Sequence, residues 1–326
     1  MTQKASMRTI PPEIALLPKV SLHDHLDGGV RLATLADIAS AKGLPAPTTL
    51  RPSGRSLVEY LKPFSHVTSL VTSPDLLARI TREALDDLEA DNVVYAELRF
   101  APLLHVSPDP DALDAAIAAV LDEMRAHQVT SRLIVCHLRG TEHDELAASG
   151  ALRFAGRGVV GFDLAGDESI SPHAHAKAIR TAHEGLALTL HAGEALGPDS
   201  IRESLSYSPE RLGHGVRIIE AKSAEPALYK ATSTRHLEVC PSSNIHTGVV
   251  SHLDHHPVHT LLDDGFSLSI NTDNRTMSNT TLSNEISLLA TADISLSMLA
   301  DLQDAAARAA FDRAAAQAAL ASARSV

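Results

Sequence analysis

The chain has 326 residues, 44% hydrophobic and 21% charged, the balance of an ordinary globular protein and not of a disordered, collagenous or coiled-coil one. Its 28 Lys and Arg against 40 Asp and Glu leave a net charge of −12, which argues against a nucleic-acid-binding face. Two cysteines exclude a disulfide framework and a four-thiolate zinc site, and 18 histidines pose the question of whether some bind metal or move protons.

Residues 1–12 read as a loosely ordered tail, and the apolar run within the first twenty residues is too short and too interrupted by proline for a signal peptide. No stretch approaches the roughly 20 apolar residues of a membrane helix, so a cytoplasmic protein with no membrane partner is predicted. From residue 19 onward, strand-like runs alternate with helix-like ones. The predicted strands are Lys19–Asp27, Asn92–Phe100, Ser131–Leu138, Gly158–Ala165, Leu186–His191, Arg211–Gly215, His236–Cys240 and Phe266–Thr272. Several are nearly continuous in apolar and β-branched residues, as strands covered on both faces are. Between them, Asp109–His127, Pro172–His183 and Ser223–Thr232 carry apolar residues at helical spacing and open on Asp, Pro or Ser.

Eight strands with crossover helices predict an α/β fold, a (β/α)₈ TIM-type barrel, as one domain over residues 1–326. An open doubly wound sheet would favour a Gly-rich phosphate turn after its first strand, and Asp27-Gly28-Gly29 is too short to be one. Two segments exceed the repeat. Gly28–Asp91 is long enough for several helices, and residues 29–91 are expected to form a helical lid over the barrel mouth, with Leu61, Pro63 and Phe64 as pocket walls. The Ala-rich stretch Ser295–Val326 predicts an extra C-terminal helix that closes the barrel.

Four short motifs carry chemistry. His23-Asp24-His25, followed by Leu26-Asp27, lies on the first strand, where residues two apart face one side. Both imidazoles can reach into the barrel, although a strand with two structural histidines fits the spacing equally well. His191-Ala192-Gly193-Glu194 closes the fifth strand, and Gly213-His214-Gly215 the sixth, its glycines suggesting a backbone that passes close to something. Asn271-Thr272-Asp273-Asn274 ends the eighth, where Asp273 either caps a helix or completes a metal site. His23, His25, His191 and Asp273 thus converge on one barrel end, a nitrogen and carboxylate set that suits Zn²⁺ with an open position for water. Asp163-Leu164-Ala165-Gly166-Asp167-Glu168 on the fourth strand offers no Lys to bridge a second ion, so one metal per chain is expected.

The remaining histidines read as ordinary. His252, His255, His256 and His259 (SHLDHHPVH) form a solvated polar loop. His66, His105, His127, His137, His143, His173, His175, His183, His236 and His246 lie on helices, strands or loops without evident partners. Cys136 and Cys240 sit in apolar runs as buried, unreactive thiols.

Seven motifs in order, PKVSLHDHLDGG (18–29), VVYAELRFAP (93–102), DLAGDE (163–168), LHAGE (190–194), RLGHGVR (211–217), EVCPSSN (238–244) and SINTDN (269–274), resemble those of the adenosine deaminase family of metal-dependent barrel hydrolases. The resemblance runs from residue 18 to beyond 270. It implies that His23, His25, His191 and Asp273 hold Zn²⁺, that Glu194 donates a proton to purine N1, and that His214 orients or deprotonates the attacking water. It further implies that Asp27 lies near the sugar 5′-hydroxyl, that the backbone of Gly166 meets N3, and that Asn274 takes the place of a second Asp that hydrogen-bonds N7. An amide donates there at any pH, whereas an acid must be protonated, so the substitution bears on which purine is preferred. The implied reaction is hydrolytic deamination of adenosine, and of 2′-deoxyadenosine, by hydroxide attacking C6. Deamination of adenine or another 6-aminopurine nucleoside, and non-catalytic zinc or nucleoside binding, are the alternatives. The cytidine-deaminase zinc signature, H-x-E with P-C-x-x-C, is absent from the sequence. The expected partner is a small-molecule purine nucleoside, and oligomeric state is left open.

Overall fold

The computed structural model describes residues 10–52, 56–290 and 294–325. Eight parallel strands follow one another in chain order: β1 (Lys19–His25), β2 (Val93–Phe100), β3 (Thr130–Leu138), β4 (Val159–Ala165), β5 (Ala187–Ala192), β6 (Arg211–His214), β7 (His236–Val239) and β8 (Ser267–Ile270). Each pairs with the next, and a parallel bridge between Asp24 and Asp273 joins the last to the first. His25 N–H donates to Asp273 O at 2.7 Å and Asp273 N–H to His23 O at 3.0 Å, so the closing seam runs through three expected site residues. Every predicted strand is present, and the fold is the predicted (β/α)₈ barrel.

The helices start where the sequence offers caps. Asp109 accepts from the N–H groups of Asp111 and Ala112 and launches Pro110–Ala126, with proline at its first position. That helix buries Leu113, Ile117 and Val120 in the same apolar cluster as Leu133 and Val135 of β3, the three-to-four stripe meeting the buried face of a strand. Two expected helices are divided. Pro172–His175 is a 3₁₀ turn before the helix Ala176–His183, and Glu225, followed by Pro226, separates Ala221–Ala224 from Pro226–Thr232.

The C-terminal segment is two helices, Leu296–Ala309 and Arg313–Ala323, where one was expected. Ala310 leaves helical geometry at ψ 142°, and Asp312 then caps the second helix by accepting from Ala315 N–H. Alanines 306, 307, 310 and 316, with Leu320, pack against Val20, Leu22 and Tyr95. Gln303 Oε1 accepts from Val20 N–H and the Arg211 guanidinium lies 3.6 Å from the centre of the Phe311 ring, so the pair covers the starts of β1, β2 and β6.

Between β1 and β2 lie helices Leu32–Lys42, Leu57–Leu61, Phe64–Leu70 and Pro74–Ala90, a helical insertion as expected. Of the expected walls, Leu61 and Phe64 lean on the main apolar cluster and Pro63 is half-buried. The residue that reaches inward is Tyr60, buried, with its hydroxyl 3.0 Å from Ser278 Oγ beyond β8. Residues 1–9 of the expected tail lie outside the described residues; Pro12–Ala15 is a short helix with Ile14 buried. Among the described residues no helix is long and apolar enough to cross a membrane.

Candidate active site

The expected site residues lie on, or within a few residues of, the C-terminal ends of β1, β4, β5, β6 and β8. His23, His25, Asp27, His191, Glu194, His214, Asp273 and Asn274 are all buried. The alternation of β1 sends His23 and His25 to one side, their ring centroids 5.3 Å apart. His25 Nε2 lies 3.4 Å from His191 Nε2 and 3.5 Å from Asp273 Oδ1, and His23 Nε2 lies 3.3 Å from Asp273 Oδ1. Such separations are those of donor atoms sharing one ion at about 2.0–2.2 Å each. Ligating atoms of His23, His191, His214 and Asp273 also fall within 4.8 Å of one another, so His214 stands at the same centre.

Paired carboxylates fix which nitrogen each histidine offers. His23 Nδ1–H donates to Glu238 Oε2 at 2.8 Å and His191 Nδ1–H to Asp163 Oδ1 at 3.0 Å. In the neutral ring each Nε2 then keeps its lone pair, and His23 Nε2 is a buried atom with no hydrogen-bond partner among the described residues. Burial is the leading cause that holds His25 down to about 3, so it is neutral at physiological pH. Burial alone would raise the Asp273 carboxyl, but the imidazoles around it, His23 first and then His25 and His214, hold it well below the usual range. An imidazole and carboxylate set, with a buried nitrogen at its centre that has no hydrogen-bond partner among the described residues, fits a divalent cation.

Local backbone geometry serves this convergence. His214 (φ 61°) and Asp273 (φ 59°) occupy the left-handed region, which costs a non-glycine residue on the order of 1–3 kcal/mol. At Gly213, paired with His191 across the sheet, a Cβ would come within 3.1 Å of the His191 ring, which would have to give by a few tenths of an ångström to admit it. A Cβ on Gly28 would strike the side chain of Asn274, which seats Asn274 beside Asp27.

Glu194 sits on the turn after β5, its backbone N–H donating to Glu168 Oε1 at 3.0 Å while Leu196 N–H donates to Glu168 Oε2 at 2.7 Å. Burial, then the carboxylates of Asp273 and Glu168, push Glu194 well above the ordinary glutamate range. Its Oε2 is 3.5 Å from His214 Nε2, and its Oε1 is buried with no hydrogen-bond partner among the described residues. Asp27 accepts from Ala101 N–H at 3.4 Å and lies 3.2 Å from His105 Nε2 through Oδ2, while its Oδ1 is likewise buried and unpartnered among the described residues. Gly166 adopts φ 92°, and a Cβ there would lie 3.3 Å from the backbone N of Arg139.

Several contributors escaped the sequence reading. Arg99 spans Asp163 and Glu238 at 2.9 Å each, and Arg211 reaches Glu238 and Glu97 at 2.6 Å each, a buried charge ladder beneath the histidines. Charged residues inside otherwise apolar strands were the available signal, since such groups are buried only when paired. Burial, then Asp273, pushes the Tyr60 hydroxyl well above its usual range. The expected indifference of the other histidines fails widely: His127, His137 and His173 bond Asp86, Thr141 and Tyr207. His105 bonds Val71 O and Asp27, His175 bonds Asp144, His236 bonds Ser267 and Ser269, and His256, expected in solvent, is buried against Asn244. Cys136 and Cys240 are buried free thiols, pushed up by burial, as expected.

The sequence model of the family described as adenosine deaminase matches residues 18–324. The chain belongs to the adenosine deaminase family. An adenosine deaminase of Mycolicibacterium vanbaalenii is 40% identical over 301 residues, covering 82% of this chain and 83% of the relative. Among solved structures, the Arabidopsis N6-mAMP deaminase superposes with a TM-score of 0.84 at 29% identity, over 96% of this chain and 99% of that one. An amidohydrolase of Burkholderia ambifaria with bound Zn superposes at 0.80 and 26% identity, over 95% and 91%. Members of the adenosine deaminase family are metal-dependent hydrolases of C–N bonds in cyclic amidines, and this chain is an enzyme of that kind that deaminates a 6-aminopurine.

Proposed function

We propose that the chain is a zinc-dependent adenosine deaminase, converting adenosine and 2′-deoxyadenosine to inosine or deoxyinosine and ammonia in the cytoplasm. The observation that carries this reading is the buried convergence of His23, His25, His191 and Asp273 beside a Glu194 carboxyl raised by burial. These four residues would hold one Zn²⁺ per chain. When bound, the ion supplies a nucleophile at neutral pH by lowering the pKa of a water from about 15.7 to about 7.

The protein's own groups do the rest. Attack at C6 leaves N1 basic, and Glu194, its carboxyl raised by burial, would donate its proton there. His214, 3.5 Å from Glu194, would face the oxygen that adds to C6. Asn274 would donate its amide to N7, and the backbone at Gly166 would meet N3. Asp27 Oδ1, with no partner among the described residues, would accept from the sugar 5′-hydroxyl. A carboxyl group in that place accepts from a hydroxyl and offers a phosphate no cationic partner, which favours a nucleoside over a nucleotide. The insertion over residues 29–91, tied down through Tyr60 and Ser278, would act as the lid that excludes water.

A substrate panel read by ultraviolet absorbance tests the reading. Adenosine and 2′-deoxyadenosine are expected to turn over well ahead of adenine, AMP and N6-methyl-AMP, the last because a nucleotide deaminase shares the fold. Preferred turnover of adenine or of a nucleotide would overturn the substrate assignment. Metal analysis of active protein is expected to find one zinc per chain, and chelation to abolish activity that added zinc restores. Two ions per chain, or activity that survives complete chelation, would refute the single-zinc site.

A further inference from the structure

Behind His214 runs a chain of hydrogen bonds that ends on a group with only one possible role. Val258 backbone N–H is a donor and nothing else, and it lies 3.2 Å from His256 Nδ1, which must accept. His256 is buried on its helix-flanking loop, and burial holds it down to about 4, so it carries a single proton. With Nδ1 accepting, that proton sits on Nε2, and His256 Nε2–H donates to Asn244 Oδ1 at 3.2 Å. The Asn244 amide is thereby oriented, oxygen toward His256 and NH₂ toward His214, where Nδ2 lies 3.1 Å from His214 Nδ1. His214 Nδ1 must accept in its turn, and the only remaining place for the proton of a neutral imidazole is Nε2.

We propose that His256 and Asn244 are positioning residues that hold the proton of neutral His214 on Nε2, so that His214 presents a hydrogen-bond donor, and not a lone pair, to the reaction centre. This rests on the proposed place of His214 in the deaminase reaction. It decides between the two roles that the family resemblance leaves open for His214, orienting the attacking water or deprotonating it. For His214 to accept a proton at Nε2, its own proton would have to move to Nδ1, opposite an amide N–H, leaving two donors facing each other inside a water-poor site. The loop SHLDHHPVH, which looks like a solvent-exposed histidine run, thus contributes one residue to the site from two shells out.

Long-range proton–nitrogen correlation spectra of the full-length protein with ¹⁵N-labelled histidine, recorded zinc-free and zinc-loaded, read the proton positions directly. Signals are assigned by their loss in His214→Asn and His256→Gln. The expected result is protonation of Nε2 on both His256 and His214, and a proton on His214 Nδ1 would overturn the proposal. Asn244→Asp keeps the shape but replaces the donor by an acceptor, and is expected to draw a proton onto His214 Nδ1. His256→Gln, whose amide can still donate to Asn244, is expected to keep kcat within about threefold of wild type. His256→Leu is expected to lower kcat by about tenfold with KM nearly unchanged, the scale of other outer-shell losses. Equal losses in the Gln and Leu variants would mark His256 as merely structural, and should His256→Leu fail to fold, the wild-type and Asn244→Asp spectra decide. Failure of the deaminase reading itself would show separately, as no turnover of any 6-aminopurine by the zinc-loaded wild-type protein with the proton still on His214 Nε2.

Discussion

Glu194→Gln is expected to lower kcat by about 10²–10⁴-fold while leaving bound metal and KM nearly unchanged. Glutamine preserves the shape of the side chain and removes the one proton the reaction needs at N1. The wild-type carboxyl can supply that proton because burial and the nearby carboxylates of Asp273 and Glu168 raise its pKa. The sign follows: a raised carboxyl stays protonated at pH values where an ordinary glutamate is ionised, so wild-type turnover holds through that range and falls as pH rises through the raised pKa. Measuring kcat against pH for wild type and for Glu168→Gln checks the cause, since neutralising Glu168 removes one raising charge and is expected to move the alkaline limb to lower pH. Turnover that survives Glu194→Gln intact would remove this residue from the mechanism.

The second large effect is expected at Glu238, which touches no substrate. It accepts from His23 Nδ1, Arg99 Nη2, Thr189 Oγ1 and Arg211 Nε, every partner buried. Glu238→Ala strips two buried guanidiniums of a counter-charge, and loss of one member of a buried ion pair costs about 3–5 kcal/mol. It also frees His23 to turn or to carry its proton on Nε2, which is expected to weaken zinc binding by about 10–100-fold. Thermal unfolding with and without zinc, together with a competition titration of the metal, separates the two effects. Glu238→Gln keeps the shape but has one acceptor oxygen where the site uses two, Oε2 for His23 and Arg99 and Oε1 for Thr189 and Arg211, so it is expected to lose stability and zinc affinity as well. Wild-type stability and zinc affinity in Glu238→Ala would show that the ladder neither stabilises the barrel nor orients His23.

Much of the barrel was legible because its strands are buried on both faces, and such strands announce themselves as apolar, β-branched runs whatever surrounds them. The candidate ligands were legible because HDH, HAGE and TDN interrupt or terminate those runs. Their roles came from the order and identity of seven motifs, not from spacing, which on β1 fits two structural histidines equally well. What stayed hidden depends on contacts between distant loops. Tyr60 reads as an ordinary residue of a short helix until Ser278 is brought against its hydroxyl. His256 reads as solvated because its neighbours are polar, and only the packing of Val258 and Asn244 around it reveals a buried, bonded ring. The C-terminal alanines gave helix but not the break at Ala310, which follows from the placement of Phe311 and Asp312 against Arg211 and Arg132.

The seam at which the barrel closes has a consequence for how the enzyme is made. Of the four proposed ligands, three are synthesised early or midway, and Asp273 arrives only after β8 has left the ribosome. The same stretch carries the backbone bonds that join the two ends of the sheet, so a nascent or truncated chain lacking β8 has neither a complete ligand set nor a closed barrel. Capture of the ion is therefore a late event, and it ties together the segments most widely separated along the chain, the kind of contact that is slowest to form. Metal supply during biosynthesis is thus expected to govern how much of this protein matures, and not only how active the mature protein is.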